Sequence, residues 1–344
     1  MLVVRAIIAS DLDALLDLAT QVGSGMTTLK PDRKMLGDRV AIAVASFAQT
    51  IPPEQRDYMF VMEDTSSGRL AGVCAIKGAV GLDEPFYNYR IGTLVHSSRE
   101  LDVFTRMDTL YLSNDLTGAT ELCSLFLHPD YRSGNNGKWL SKSRFLFIAQ
   151  FPHLFTAKLI AEMRGYQLDD GSSPFYEGLG RHFFKMDFNH VDHLTAMGKK
   201  SFIAELMPRQ PLYVAYLPDD AQEVIGKVHL STAPARRLLE QEGMHFEGYV
   251  DIFDAGPVLQ ARVSELRAMR DSTVATVDES ATPTDTDPLL VSNTKLNDFR
   301  MIVAHANPVS GKLALTPDEQ ALLHCQGGDT VRTLSLNVRK NVHV

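Results

Sequence analysis

The sequence predicts an α+β fold: a mixed central sheet with helices on both faces, followed by a small C-terminal β-barrel-like subdomain. Three observations carry this expectation. The chain opens in the order β-α-α-β-β, a strand at 122–127 runs through a Gly/Asn-rich loop straight into a helix, and short β-like runs separated by turns fill 289–344.

In order, residues 2–7 read as a strand, and Ser10 or Asp11 caps a helix over 11–22. A second helix spans 31–49, strands follow at 58–64 and 69–79, and the segment Tyr87-Asn88-Tyr89-Arg90 leads into more strand. The apolar run Leu122 to Leu127 stops at His128-Pro129-Asp130, where proline removes a donor, and a helix covers about 139–151. Next come a strand at 158–164, a helix at 174–182 and a strand at 183–188. Residues 192–265 extend the unit, with FIAELMP (202–208) and YVDIFD (249–254) as strands and helices over Asp219–Ile225 and Ala233–Glu242. The main unit is therefore 1–269. Residues 270–288, rich in Thr, Asp and Pro, read as a flexible linker, and 289–344 as the β-rich subdomain, with turn signals such as Gly327-Gly328-Asp329.

Composition narrows the function classes. With 344 residues and 44% hydrophobic content the chain can bury a large core. A net charge of −8 without a Lys/Arg cluster argues against nucleic acid or an anionic membrane as partner and is compatible with a cationic substrate. Cys74, Cys123 and Cys325 are odd in number and lack metal or CxxC spacing, so they read as buried free thiols in a reducing compartment, with no metal site and no catalytic cysteine. No signal peptide opens the chain and no apolar run of about 18 residues crosses a membrane, which predicts a cytoplasmic location.

The loop Arg132-Ser133-Gly134-Asn135-Asn136-Gly137-Lys138 carries the chemistry. Gly and Asn tolerate positive φ, the following helix N-terminus offers orphan amides and partial positive charge, and Arg132 and Lys138 add formal charge. That is a cradle for a diphosphate, although an isolated loop of this kind is equally an ordinary βα turn. No Gly-Lys-Ser/Thr triplet makes it a P-loop. Of eleven histidines, His229 stands out between a helix ending at Gly226 and another capped by Ser231 or Thr232. Its position alone leaves a cleft-facing and a loop-packing role both open. Carboxylates for a cationic substrate are Glu162, Glu205, Asp251 and Asp254; donors for carboxylates are Arg90, Arg164 and His182. Tyr176 is either a catalytic phenol or an aromatic core contact.

The pattern Arg132-x-x-Asn135-x-Gly137 resembles the acyl-CoA loop of the GNAT superfamily of N-acyltransferases, with Asn135 in place of the first glycine. Longer strings, among them VGLDEPFYNYRIGTLVH (80–96), ELCSLFLHPDYRSGNNGKWLSKSRFLFIA (121–149), SPFYEGLGRHFFKMDF (173–188) and YVDIFDAGP (249–257), resemble the arginine N-succinyltransferase family over roughly 1–265. The resemblance implies a GNAT-like sheet and transfer of succinyl from succinyl-CoA, a co-substrate and not a permanently bound cofactor, to the α-amino group of L-arginine. It assigns His229 as proton donor and Leu125, with Phe126 and Leu127 beside it, as the succinyl-CoA strand. It also makes a homo-oligomer, or a hetero-oligomer with a paralogous subunit, an expectation. An ornithine-preferring enzyme and a non-catalytic CoA- or arginine-sensing subunit are the alternatives; the intact loop and His229 count against the second.

Overall fold

The computed structural model describes residues 1–22, 26–196, 201–278 and 287–338. Its strands are β1 (Leu2–Ala6), β2 (Asp57–Asp64), β3 (Arg69–Lys77), β4 (Asn88–Ser98), β5 (Val103–Ser113), β6 (Thr120–Leu127), β7 (Lys158–Glu162), β8 (Leu212–Tyr213), β9 (His245–Asp251), β10 (Pro257–Arg262), β11 (Thr273–Asp278), β12 (Leu289–Asn293), β13 (Arg300–Ala304), β14 (Lys312–Ala314) and β15 (Thr330–Ser335). Its helices are α1 (Leu12–Thr20), α2 (Arg33–Phe47), α3 (Asn136–Gln150), α4 (Arg181–Phe184), α5 (Phe188–Ala196), α6 (Ser201–Leu206), α7 (Asp219–Val224), α8 (Ala233–Gln241), α9 (Arg267–Asp271) and α10 (Pro317–Leu323). All the strands join one sheet, in the order β14-β11-β15-β12-β13-β1-β2-β3-β6-β7-β10-β9-β4-β5-β8.

Strand β2 shows why helices cover both faces of the centre. Tyr58 to Met62 are fully buried. Tyr58, Phe60 and Met62 point to α3, where Phe147 meets Phe60 at 4.9 Å, whereas Met59 and Val61 point to Leu15, Leu18, Leu36 and Val40 of α1 and α2. Helix α2 begins where the Asp32 carboxylate accepts the Met35 N–H at 2.8 Å. Helix α3 is buried from Trp139 to Ala149, Lys142 and Arg144 included, because the C-terminal strands close over the side that the central sheet leaves open.

The C-terminal expectation needs correcting in two respects. Within the expected linker 270–288, Thr273 to Asp278 form β11, paired with β15 and β14; residues 279–286 lie outside the described residues. Ala275 and Val277 alternate into the core there, a period-two signal hidden among Thr and Asp. The unit also continues the main sheet, and no barrel closure is seen among the described residues. Its strands extend the main sheet, since β13 pairs with β1 through Val4↔Met301 and Arg5↔Arg300, and β14 ends the strand order. Val3 belongs to the C-terminal core and Val4 to the central one, so β1 serves both. Helix α10, opened by a Thr316/Glu319 capping box, was not anticipated.

Two expected strands are helices. Over 183–188 the chain forms the end of α4, a left-handed Lys185 at φ 55°, and the start of α5; Phe184 closes α4, Phe188 opens α5, and both rings bury against Tyr176. Most of FIAELMP lies in α6, with Ile203 and Met207 buried four residues apart. No helix among the described residues is long and apolar enough to cross a membrane.

Candidate active site

The site grows from a parting of two strands. β6 and β7 run parallel but pair only at Thr120↔Leu159 and Glu121↔Ile160. Beyond that point a bulge deflects β6. Against β3 the register jumps from Ala75↔Cys123 to Val73↔Phe126, and Ser124 takes the left-handed conformation at φ 53°. A non-glycine residue held there costs free energy and persists only where its surroundings fix it. Arg39 of α2 does so: its Nη1 donates to Ser124 Oγ at 2.7 Å and to the Thr28 carbonyl at 2.6 Å, and its Nε to Asp57 Oδ2 at 2.6 Å. The Ser124 hydroxyl then donates to Thr28 Oγ1 at 2.9 Å.

The other wall of the gap is set by β7. Met163 donates its N–H to the Pro257 carbonyl on the β10 side. Successive residues of a strand turn their main-chain N–H and C=O groups to opposite edges, so the main-chain groups of Glu162 and Arg164 face the gap. The Arg164 carbonyl accepts the His229 N–H at 2.9 Å, and Gly165 and Val228 form an antiparallel bridge. A slit results, closed at one end by the last β6–β7 pair and at the other by the segment that carries His229. Leu125 and Leu127, half-buried, lie on the β6 wall, and Phe126 packs beneath it.

Past the β6 wall comes the loop. Gly134 has φ 57° with open space where a Cβ would stand, and Asn135 caps α3 without a side-chain hydrogen bond, leaving the first-turn amides to another acceptor. Ser133 and Gly134 are exposed, Asn136 and Gly137 half-buried. The Asn136 side chain donates to the Tyr131 carbonyl at 3.0 Å and fixes the loop. Arg132 donates from Nε to the Leu127 carbonyl at 2.9 Å and lies over the Phe126 ring at 5.4 Å, so its exposed guanidinium is aimed by β6 itself. Lys138 is engaged differently from expectation: its Nζ donates to Asn337 Oδ1 at 2.6 Å, and burial together with the Arg267 charge lowers its pKa.

His229 is half-buried at the closed end of the slit. Its Nδ1 meets Ser231 Oγ at 2.7 Å and accepts the Ser231 N–H at 3.2 Å, which in the neutral ring places the proton on Nε2. Burial, then the Arg164 charge, lower its pKa.

The remaining candidates divide. Glu162, on β7 beside the slit, accepts from Asn88 Nδ2 at 2.8 Å. Arg164 holds Gln167 Oε1 with its guanidinium while its carbonyl holds His229. Asp254 is not a fork for a substrate cation, because its two oxygens accept the Gly165 and Gly256 amides at 2.7 and 2.9 Å. Asp251 caps the same turn, accepting from Phe253 and Asp254. Arg90 pairs with Asp115 at 3.7 Å on an exposed part of β4. Glu205 and His182 are exposed, on α6 and α4. Tyr176 is a core residue, fully buried, with its hydroxyl donating to the Met186 carbonyl at 3.0 Å. Cys74 is buried, Cys123 and Cys325 half-buried; all three are free, and burial raises each thiol's pKa, to about 11 for Cys123 and Cys325. The Ser124–Arg39 brace carried no sequence signal, since serine does not advertise a left-handed backbone.

Comparison with known proteins identifies the family. Residues 2–268 match the arginine N-succinyltransferase beta subunit family and residues 270–335 the C-terminal domain of that subunit. The chain is similar to the arginine N-succinyltransferase of Enterobacter sp. (strain 638), 47% identical over 337 residues and 98% of each chain. It is 48% identical over 339 residues to the arginine N-succinyltransferase subunit beta of Pseudomonas aeruginosa, covering 98% of this chain and 99% of that one. Among solved structures it superposes on arginine/ornithine succinyltransferase subunit AI from Pseudomonas aeruginosa with a TM-score of 0.90, at 35% identity, over 98% of this chain and 99% of that one. The chain belongs to the arginine N-succinyltransferase family.

Proposed function

We propose that the chain transfers the succinyl group of succinyl-CoA to the α-amino group of L-arginine, giving N2-succinyl-L-arginine and CoA. The diphosphate sits on the first turn of α3 with Arg132, and the pantetheine arm runs along Leu125 to Leu127 into the slit. The amine attacks the thioester carbonyl: the N–C bond forms, the C–S bond breaks, and sulfur leaves with a proton from Nε2 of the His229 imidazolium. The proton shed by the amine recharges the ring, so the protons balance over the turnover. A lowered pKa makes that imidazolium the stronger acid. Glu162, which accepts from Asn88, is the carboxylate we put forward for the acceptor's positive charge.

The observation that supports this reading is the His229 N–H bonded to the Arg164 carbonyl on the slit edge of β7; the reading puts the departing sulfur beside that ring. The test is CoA-thiol release with succinyl-CoA or acetyl-CoA against arginine, ornithine and lysine. Succinyl-CoA-dependent, arginine-stimulated release should fall by about 10²- to 10⁴-fold in His229→Ala. Unaltered turnover refutes the proton-donor role. Preference for ornithine is the second reading, favoured by a relative named for both amino acids. Relatives are also named as subunits, so we place the chain in an oligomer with itself or a paralogue. Free thiols suit the cytoplasm as the compartment.

A further inference from the structure

We propose that Asp254 is a positioning residue for His229, acting through one peptide plane at the end of β7. This rests on the role given to His229 above. The peptide unit between Arg164 and Gly165 is bonded at both ends. Its carbonyl accepts the His229 N–H at 2.9 Å, and its N–H donates to Asp254 Oδ2 at 2.7 Å. A peptide unit is planar and rigid, so fixing the N–H fixes the direction of the carbonyl that carries His229. Burial and then the Asp251 charge raise the Asp254 pKa, and the Gly256 and Gly165 amides oppose that rise by favouring the ionised form.

Asp254 is equipped to hold this plane still. It is 7% exposed, and its Oδ1 accepts the Gly256 N–H at 2.9 Å. The turn that carries it is fixed by Asp251, which accepts the Phe253 and Asp254 amides at 2.7 and 2.9 Å. The same turn reaches the histidine segment directly, because the Ala255 carbonyl accepts the Gly226 N–H at 2.9 Å. Three stretches of chain therefore cross at one point: the end of β7, the 254–256 turn and the 226–229 segment. The crossing admits no side chains. A Cβ on Gly165 would lie 2.3 Å from the Asp254 carbonyl oxygen, and one on Gly256 would lie 2.0 Å from the Met163 carbonyl oxygen.

Asp254→Asn keeps the shape but can accept only one of the two amides, turning an NH2 against the other. Displacing a reacting group by about 1 Å costs on the order of 10²-fold. We expect kcat to fall by about 10- to 100-fold, with the KM for succinyl-CoA within about twofold because the α3 cradle is untouched. The His229 ring should shift in its NMR titration, which a general loss of stability would not cause. In a His229→Ala background the same substitution should cost nothing further in kcat. Normal kcat in Asp254→Asn beside a crippled His229→Ala overturns this proposal alone, as does a loss that adds in full to that of His229→Ala. Normal turnover in His229→Ala itself overturns the underlying role of His229. Asp254→Ser, which retains one acceptor, is the second variant; if neither folds at low temperature, Asp254 serves folding and the proposal fails.

Discussion

Glu242→Gln isolates the joint between α3 and the C-terminal strands. Lys142 of α3 and Glu242 are fully buried, and Arg267 of α9 is 3% exposed. Lys142 Nζ donates to Glu242 Oε1, while Arg267 donates to the same carboxylate from Nε at 3.0 and 3.1 Å and from Nη2 at 2.9 Å, and to the Ser335 carbonyl of β15 at 3.2 Å. Two cations thus share one anion without water. Removing the anion leaves both buried charges uncompensated, a loss of about 3–5 kcal/mol, reduced toward the lower figure because Gln still offers one oxygen. At roughly 2–4 °C per kcal/mol for a large domain, Tm should drop by about 6–12 °C in calorimetry. The pH dependence gives an independent check. Burial already lowers the Lys142 pKa, and Glu242 is the main group opposing that. Without it the folded pKa falls further below the unfolded value, so the unfolded chain binds more protons and stability rises with pH across that interval. The Tm deficit should therefore narrow between neutral and alkaline pH. A drop under about 1 °C, or a deficit that widens on going alkaline, refutes the reasoning.

Arg164→Met keeps the carbonyl that holds His229 but removes the positive charge that helps to depress its pKa, which should move up toward the ordinary value. The donor form exists below that pKa, so the alkaline limb of kcat should shift to higher pH; a limb that stays put, read in a profile at saturating substrate, removes Arg164 from the account. Tyr176→Phe should leave kcat within about twofold, since its hydroxyl is committed to the Met186 carbonyl, and should cost about 0.5–1.5 kcal/mol in urea denaturation. A large loss of kcat at normal stability would return Tyr176 to the chemistry.

Chemistry that resides in residue type was legible in the sequence; chemistry that resides in register was not. The loop from Arg132 to Lys138 is legible as a Gly/Asn turn between strand and helix, and Leu122 to Leu127 reads as a strand on apolarity alone. The stretch 183–188 reads as a strand because Phe184, Met186 and Phe188 alternate with Lys185 and Asp187, whereas a left-handed Lys185 parts α4 from α5 there and both phenylalanine rings pack on Tyr176. Strand β11 was lost to composition, its Ala275 and Val277 outnumbered by Thr and Asp. The slit lies deeper still. Nothing in Cys-Ser-Leu says that Ser124 turns left-handed; that follows from Arg39, 85 positions away, reaching its hydroxyl. Nor does Met-Arg-Gly say that the plane after Arg164 is held by Asp254 on one edge and His229 on the other. Each of these contacts joins residues that no local pattern relates, and each fixes a main-chain direction and not a side-chain identity. That explains why the sequence could nominate His229 but not place it: residue type marks a group able to carry a proton, and the crossing of three chain segments sets where that group stands.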